Sequence, residues 1–551
     1  MPTLPPPTRT RPPSPTAPPV RRGKPDLSPR AFRVLWDGHS VVGVVLGLAL
    51  YVMFLCGGIA LWRGEVHQWA DPALRAASTE VASVDALVGP VLAADPPVPG
   101  SGVMVVWPFG NRPYLTLSYE TASGPASHWV VPETGAVLPA RPRSATADLL
   151  NDVHFFHQLG IVGDTLAGLA CVFLLFVLGS GLAIHWRKLP KDWHTTRWGG
   201  GLRRALADVH VVLGTLGLPF TVAYAVTGAY FALLTVFYGA VVAGALGGDL
   251  DRLDPLISGL ESPAYEASGQ PAETLSFDRL VAALPAEWPA LDPVILRVEG
   301  WGDRGALAHF EGQQAGTVTR SAIAVLGAAT GEVVAARAPS DTPAMTATAV
   351  GMGTLHFGRF GGGVTKALLF LLALAASAVI LTGNVLWVVV RRPRDSRATP
   401  RLHRALARLT VGVGCGLVAA VPALFLATRA LPLALDGRQQ AEAAVFFGLW
   451  LALAVAAFAG RSAGWAARWQ LALAGALCLA VPVANGVGTG AWPWVSAAAG
   501  WPAVFWTDVG FAMAGLTLLG AARRLPGPGA GGQGARAGQS TNTPWATSPR
   551  A

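Results

Sequence analysis

The sequence predicts a membrane all-α helical bundle of about eight transmembrane helices with a duplicated half, plus two small α+β modules in the loops outside the membrane. Three observations carry this. Only 13% of the 551 residues are charged, against roughly 25% in soluble proteins. Apolar runs near the bilayer-crossing length of about 20 residues occur around 41–62, 161–184, 211–238, 364–390, 409–431, 442–460, 467–488 and 504–522. The segment from His154 to Trp186 also recurs without a gap at an offset of 202 residues, setting His154 on His356, Phe155 on Phe357, Gly160 on Gly362 and Gly181 on Gly383.

Taken in order, residues 1–30 are rich in Pro and Arg, have no apolar period and read as a disordered tail. The apolar segment that follows is too long for a cleaved signal, so 31–62 is the first span. A first module occupies 63–150, with β-branched runs at 114–119 and 129–137 around a Thr134-Gly135 turn. Spans follow at 151–187 and 207–239. The second module, 240–355, has similar runs at 294–298, 322–325 and 330–334 around Thr330-Gly331, and 274–284 reads as a helix on its sheet. Span four is 356–391, spans five to eight fill 405–522, and 523–551 is a second Gly-rich disordered tail.

Charge fixes the expected orientation. Of 41 Lys and Arg residues, 26 lie in 1–38, 186–206, 391–409, 461–470 and after 522, although the alternate loops are longer. Positive charge stays inside, so both termini are expected in the cytoplasm of a bacterial inner (plasma) membrane protein and the two long loops face outward. The net charge of +9 is thus a topology signal and implies no nucleic acid partner. Cys56, Cys171, Cys415 and Cys478 all fall in apolar segments and read as small buried residues, with neither a disulfide framework nor a thiolate metal site.

Four histidines stand at related positions. His39 and His210 open spans one and three, each with Asp two residues before (Asp37, Asp208), Gly four after (Gly43, Gly214) and Gly about one membrane depth later (Gly57, Gly228). His154 and His356 open spans two and four from the other side. Polar residues in a bilayer are costly and face a partner inside the bundle, so His39 pairs with His210 in one leaflet and His154 with His356 in the other. Imidazole suits iron, copper or zinc. Two ligands per leaflet fit two b-type haems with paired axial histidines better than zinc, which takes four tetrahedral ligands.

His157, a turn from His154, and His185, at the far end of span two, are secondary ligand candidates. Asp37 and Asp208 either orient the histidines below them or cap helix starts. Arg359 and Lys366 either meet haem propionates or snorkel to the interface. His67, His128, His194 and His309 read as surface residues, and His403 as a solvated one beside Arg401, Arg404 and Arg408.

His39 with Gly43, His154 with Gly160 and Gly163, His210 with Thr227-Gly228, and His356-Phe357-Gly358 with Gly362, Lys366 and Thr382-Gly383 together resemble the PepSY-associated transmembrane family, which includes iron-regulated membrane proteins and siderophore-iron reductases. The likeness covers about 31–395, and the Thr-Gly turns make the two outer modules PepSY-like. The resemblance implies a haem-containing inner-membrane protein passing electrons outward to a ferric siderophore or other iron chelate, hence an oxidoreductase in iron acquisition. With no G-x-G-x-x-G between strand and helix, the expected electron donor is a quinol or a separate cytoplasmic reductase. Two other readings stay open: a non-enzymatic PepSY membrane protein binding or regulating a peptidase or ligand, and a transporter.

Overall fold

A computed structural model of the protein describes residues 27–75, 80–108, 112–139, 143–186, 202–250, 252–390 and 400–525. The expected tails fall almost wholly outside the described residues, as do the basic stretches 187–201 and 391–399 and His194. Among the described residues, eight helices are long and apolar enough to cross a membrane: Pro29–Ala60 (α1), Ile161–His185 (α5), Leu218–Ala245 (α7), Gly362–Val390 (α11), Pro400–Ala430 (α12), Arg438–Ala459 (α13), Ala463–Thr489 (α14) and Pro502–Arg524 (α16). Their outward faces carry exposed apolar side chains such as Val45, Val364 and Leu371, as lipid contact requires.

Shorter helices are inserted between them: Arg63–Ala70 (α2), Val84–Ala94 (α3), Thr146–His154 (α4), Leu202–Leu216 (α6), Leu253–Ser258 (α8), Phe277–Ala282 (α9), Ala344–His356 (α10) and Pro493–Ala498 (α15). Ser28 caps α1, its hydroxyl accepting from the Ala31 N–H at 3.1 Å. The expected third span, 207–239, is in fact broken at Gly217, because Pro219 in the first turn of α7 has no N–H to continue the α6 ladder.

α1 is the hub. It packs along α11 and α5 and touches α4 and α12, while α5 lies on α7 and α6 on α11. The Tyr51 hydroxyl of α1 donates to the Gly414 carbonyl of α12 at 3.0 Å. α12 in turn packs on α13 and α14, and α14 on α16. All four cysteines are free, and Cys56, Cys171 and Cys478 are buried.

The strands of the two long loops share one sheet. These strands, Val103–Val106 (β1), Leu115–Thr121 (β2), Gly124–Val130 (β3), Val137–Pro139 (β4), Leu291–Glu299 (β5), Leu307–Gln314 (β6), Ser321–Gly327 (β7) and Val333–Arg337 (β8), run antiparallel in the order β4-β3-β2-β1-β5-β6-β7-β8. The junction pairs Val103 with Val298 and Val106 with Ile295. Two isolated four-stranded sheets would each leave an unpaired edge there, and pairing removes both. α3 and α9 cover one face, burying Val84, Val88, Phe277 and Leu280 against Val103, Val105, Leu296 and Val298. Both loops therefore stand at the same end of the bundle.

Candidate functional site

Each of the four histidines reaches across to a neighbouring helix. His39 Nδ1, in α1, lies 3.0 Å from the Val177 carbonyl of α5. His210 Nδ1, in α6, lies 2.9 Å from the Val379 carbonyl of α11. His154 Nδ1, at the end of α4, is 2.6 Å from the Met53 carbonyl of α1. A carbonyl oxygen only accepts, so in all three rings Nδ1 carries the proton.

His356 reaches the same state by another route. Its Nδ1 is 2.8 Å from the Thr227 hydroxyl of α7, and that hydroxyl donates to the Ala223 carbonyl at 2.8 Å. The hydroxyl thus accepts from the ring. In the neutral form every Nε2 keeps its lone pair, and among the described residues none of the four Nε2 atoms has a hydrogen-bond partner. All four rings remain partly accessible.

The rings come together in twos. The centroids of His39 and His210 are 6.3 Å apart with planes at 85°, and those of His154 and His356 are 6.1 Å apart at 33°. The first pair sits toward the end of the bundle away from the sheet and the second at the sheet end. Along α1, His39 and the Gly57 that touches His154 are separated by about 27 Å of helix rise.

Glycines make room for the rings. A Cβ on Gly57 would lie 2.5 Å from His154 Cε1, and one on Gly181 or Gly383 would lie 3.0 Å from His39 or His210 Cε1. At Gly228 it would lie 3.9 Å from His356. Each imidazole is seated on a glycine of the helix it crosses to.

His154 and His356 do not begin the spans. They end α4 and α10, and the chain turns through Gly160 (φ 60°) before α5 and through Gly358 (φ 65°) before α11. Asp37 does not cap α1, since Ser28 does. The Nδ1 atoms of His39 and His210 are held by backbone carbonyls.

Of the secondary candidates, His157 is exposed and bonds Asp164 Oδ1 at 3.1 Å, and His185 is the last residue of α5. Lys366 is matched by Glu65 and lies over Trp62, and Arg359 stacks on Phe357, its Cζ 4.7 Å from the ring centroid.

Other histidines depart from the sequence reading. His67 is no surface residue: it is 3% exposed, its Nε2 lies 3.3 Å from Asp148, and it meets Tyr114 and Trp129 edge-on. His309 faces Glu299 at 3.6 Å. His403 is partly buried and donates from Nε2 to the Val388 carbonyl at 2.6 Å. Among the described residues no cluster of three or more His, Cys, Asp or Glu is placed to hold a metal ion.

Eight candidate spans, a sheet at one end and cross-helix histidine pairs define a multi-pass membrane protein with a candidate cofactor site at each end of its first helices. The chain belongs to the PepSY-associated TM region family, which matches residues 36–389. That match takes in most of α1, the sheet and nearly all of α11, and it stops before α12. The chain is also 30% identical, over 353 residues, to an uncharacterized protein of Pseudomonas aeruginosa; the alignment covers 61% of this chain and 86% of that protein.

Proposed function

We propose that this is a di-haem electron-transfer protein of the bacterial inner membrane, reducing ferric siderophores or other chelated Fe(III) on the periplasmic, sheet-bearing side. The observation that carries the reading is the common state of the four imidazoles: Nδ1–H donated, Nε2 free, rings in cross-helix pairs. Histidines that bind metal donate their other nitrogen in this way, which fixes the tautomer and raises ligand basicity.

The spacing fits the group. Two metal–nitrogen bonds of about 2 Å, with about 1 Å from each nitrogen to its ring centre, add to roughly 6 Å, against 6.3 and 6.1 Å between centroids. His39 and His210 would hold one haem and His154 and His356 the other. When bound, such a group supplies a one-electron iron couple tuned by axial ligands and burial.

The chain does the rest. Val177, Val379, Met53 and Thr227 hold the ring protons, and the glycines set ring depth. One electron delivered to chelated Fe(III) gives Fe(II), a softer ion that hard oxygen ligands hold less well. A quinol or a separate cytoplasmic reductase supplies the electron.

The test is a reduced-minus-oxidised visible spectrum of the purified protein. Two equivalents of b-type haem are expected, falling to one in His356→Ala and to one in His39→Ala. Folded, colourless wild-type protein would sink the reading. Retention of both haems in His39→Ala would move the ligand role at that end to His185.

A further inference from the structure

We infer that the four helices beyond the family match, α12, α13, α14 and α16, brace the helix that carries His154, with Glu442 as the positioning residue. The inference rests on the reading of His154 as a ligand. Glu442 lies in the first turns of α13 and is fully buried. Its Oε1 faces Arg438 Nη1 at 3.0 Å. Its Oε2 accepts from the Ser144 hydroxyl at 3.0 Å and the Ala145 N–H at 2.6 Å.

Ala145 immediately precedes α4. The carboxylate therefore sits on the N-terminus of α4, where unsatisfied N–H groups and the helix dipole favour an anion. Thr428 of α12 adds a hydroxyl contact to Thr146 at 2.5 Å, and Arg438 donates to the Thr428 carbonyl at 2.6 Å.

A second set of contacts holds the partner helix. Trp69 of α2 donates to Asp508 of α16 at 2.8 Å, Asn485 of α14 donates to the other Asp508 oxygen at 2.8 Å, and Arg429 of α12 lies over Trp69 at 4.0 Å. Arg63 and His67 of α2 bond Asp148 of α4. So α2 and α4 move as one body, tied to residues from 400–525.

At nine residues α4 is too short to hold its shape alone. Its position comes from what grips its two ends: Glu442 at one and the His154–Met53 bond at the other. α10, which carries His356, instead packs on α7, α8 and β7. The brace is one-sided. It acts on one ligand of one pair.

The experiment uses the full chain and Glu442→Gln, which keeps the size and removes the charge. Amide exchange over 145–154 should accelerate by roughly ten-fold, the scale of a lost helix cap, with α10 and the sheet unchanged. In a redox titration one of the two haem transitions should shift or lose amplitude while the other stays. Unchanged α4 exchange overturns the inference, and so does faster exchange with both transitions unmoved. Should Glu442→Gln not fold, Thr428→Val removes the hydroxyl that meets Ser144 and Thr146 at the start of α4 and is read in the same way. Wild-type protein without haem would defeat the proposed function instead, and the exchange result would still decide whether the brace orders α4.

Discussion

An acceptor-only oxygen settles a tautomer without any hydrogen being seen, and three of the four site histidines are fixed in this way. His356 depends on a hydroxyl, which makes Thr227 the most informative single substitution. Thr227→Val keeps the shape but leaves Nδ1–H unpaired. We expect haem affinity at that pair to fall about 10–100-fold, read as loss of one haem on dilution while the His39–His210 pair stays loaded. The glycine seats give a second prediction. Gly57→Val would drive a Cβ into the His154 ring, costing about 1–3 kcal/mol as overpacking, whereas Gly179→Ala has no atom within 4 Å to meet. Thermal melts of the two variants compare them. The histidines and these glycines were legible in the sequence because they recur at fixed spacing. The Nδ1 partners of His39, His154 and His210 were not, since a backbone carbonyl leaves no mark in the sequence, and Asp37 and Asp208 were the more visible alternative. His67 was misread for a related reason: its burial comes from Asp148, Tyr114 and Trp129, all distant in the chain.

At the scale of elements, α3 and α9 lock each other. Asp85 Oδ1 and Oδ2 accept from the Phe277 and Asp278 N–H groups at 2.8 and 3.0 Å. Asp278 returns the arrangement, accepting from the Val84 N–H at 2.9 Å, the Asp85 N–H at 3.3 Å and the Ser83 hydroxyl at 2.5 Å. Each aspartate thus caps the other's helix. Burial pushes the Asp278 carboxyl up, but the hydrogen bonds from Ser83, Val84 and Asp85 outweigh it and hold the group below its usual range. A carboxyl depressed by folding stabilises above its unfolded value, near 3.9, and that contribution is lost as pH falls through the lower folded value. The sheet should therefore loosen in acid below about pH 4. Asp278→Asn should lose roughly 1 kcal/mol at neutral pH and flatten that acid dependence, measured by exchange of the α3 and α9 amides. A helix within 274–284 was legible in the sequence, although only Phe277–Ala282 forms it. β1 escaped notice because it is only four residues long, and β6 because its LAHFEGQQ sequence sets polar groups on the open face.

For the whole molecule, an apolar run falls on each of the eight long helices among the described residues, because a span must satisfy its backbone internally whatever surrounds it. The ends are less exact, since α1 and α12 begin well before their runs and α7 is displaced by two turns. What the runs did not reveal is how the two loops meet. Strand pairing between segments nearly two hundred residues apart depends on edges that only tertiary structure exposes. The junction of β1 with β5 makes the sheet one cooperative body, and it ties together the loops that lead into His154 and His356. Leu296, fully buried in β5, stands opposite Val105 of β1. Leu296→Ala should cost about 2–5 kcal/mol through the cavity it leaves. If the sheet is a single body, that loss appears in the amide exchange of β1, β2 and β3 as much as in β6 and β7, although the substitution lies in the second loop. Loss confined to β5–β8 would mean that each loop holds its own fold and that the junction is a weak contact. α4 and α10 would then be free to shift independently, and His154 and His356 would owe their spacing to the membrane helices alone.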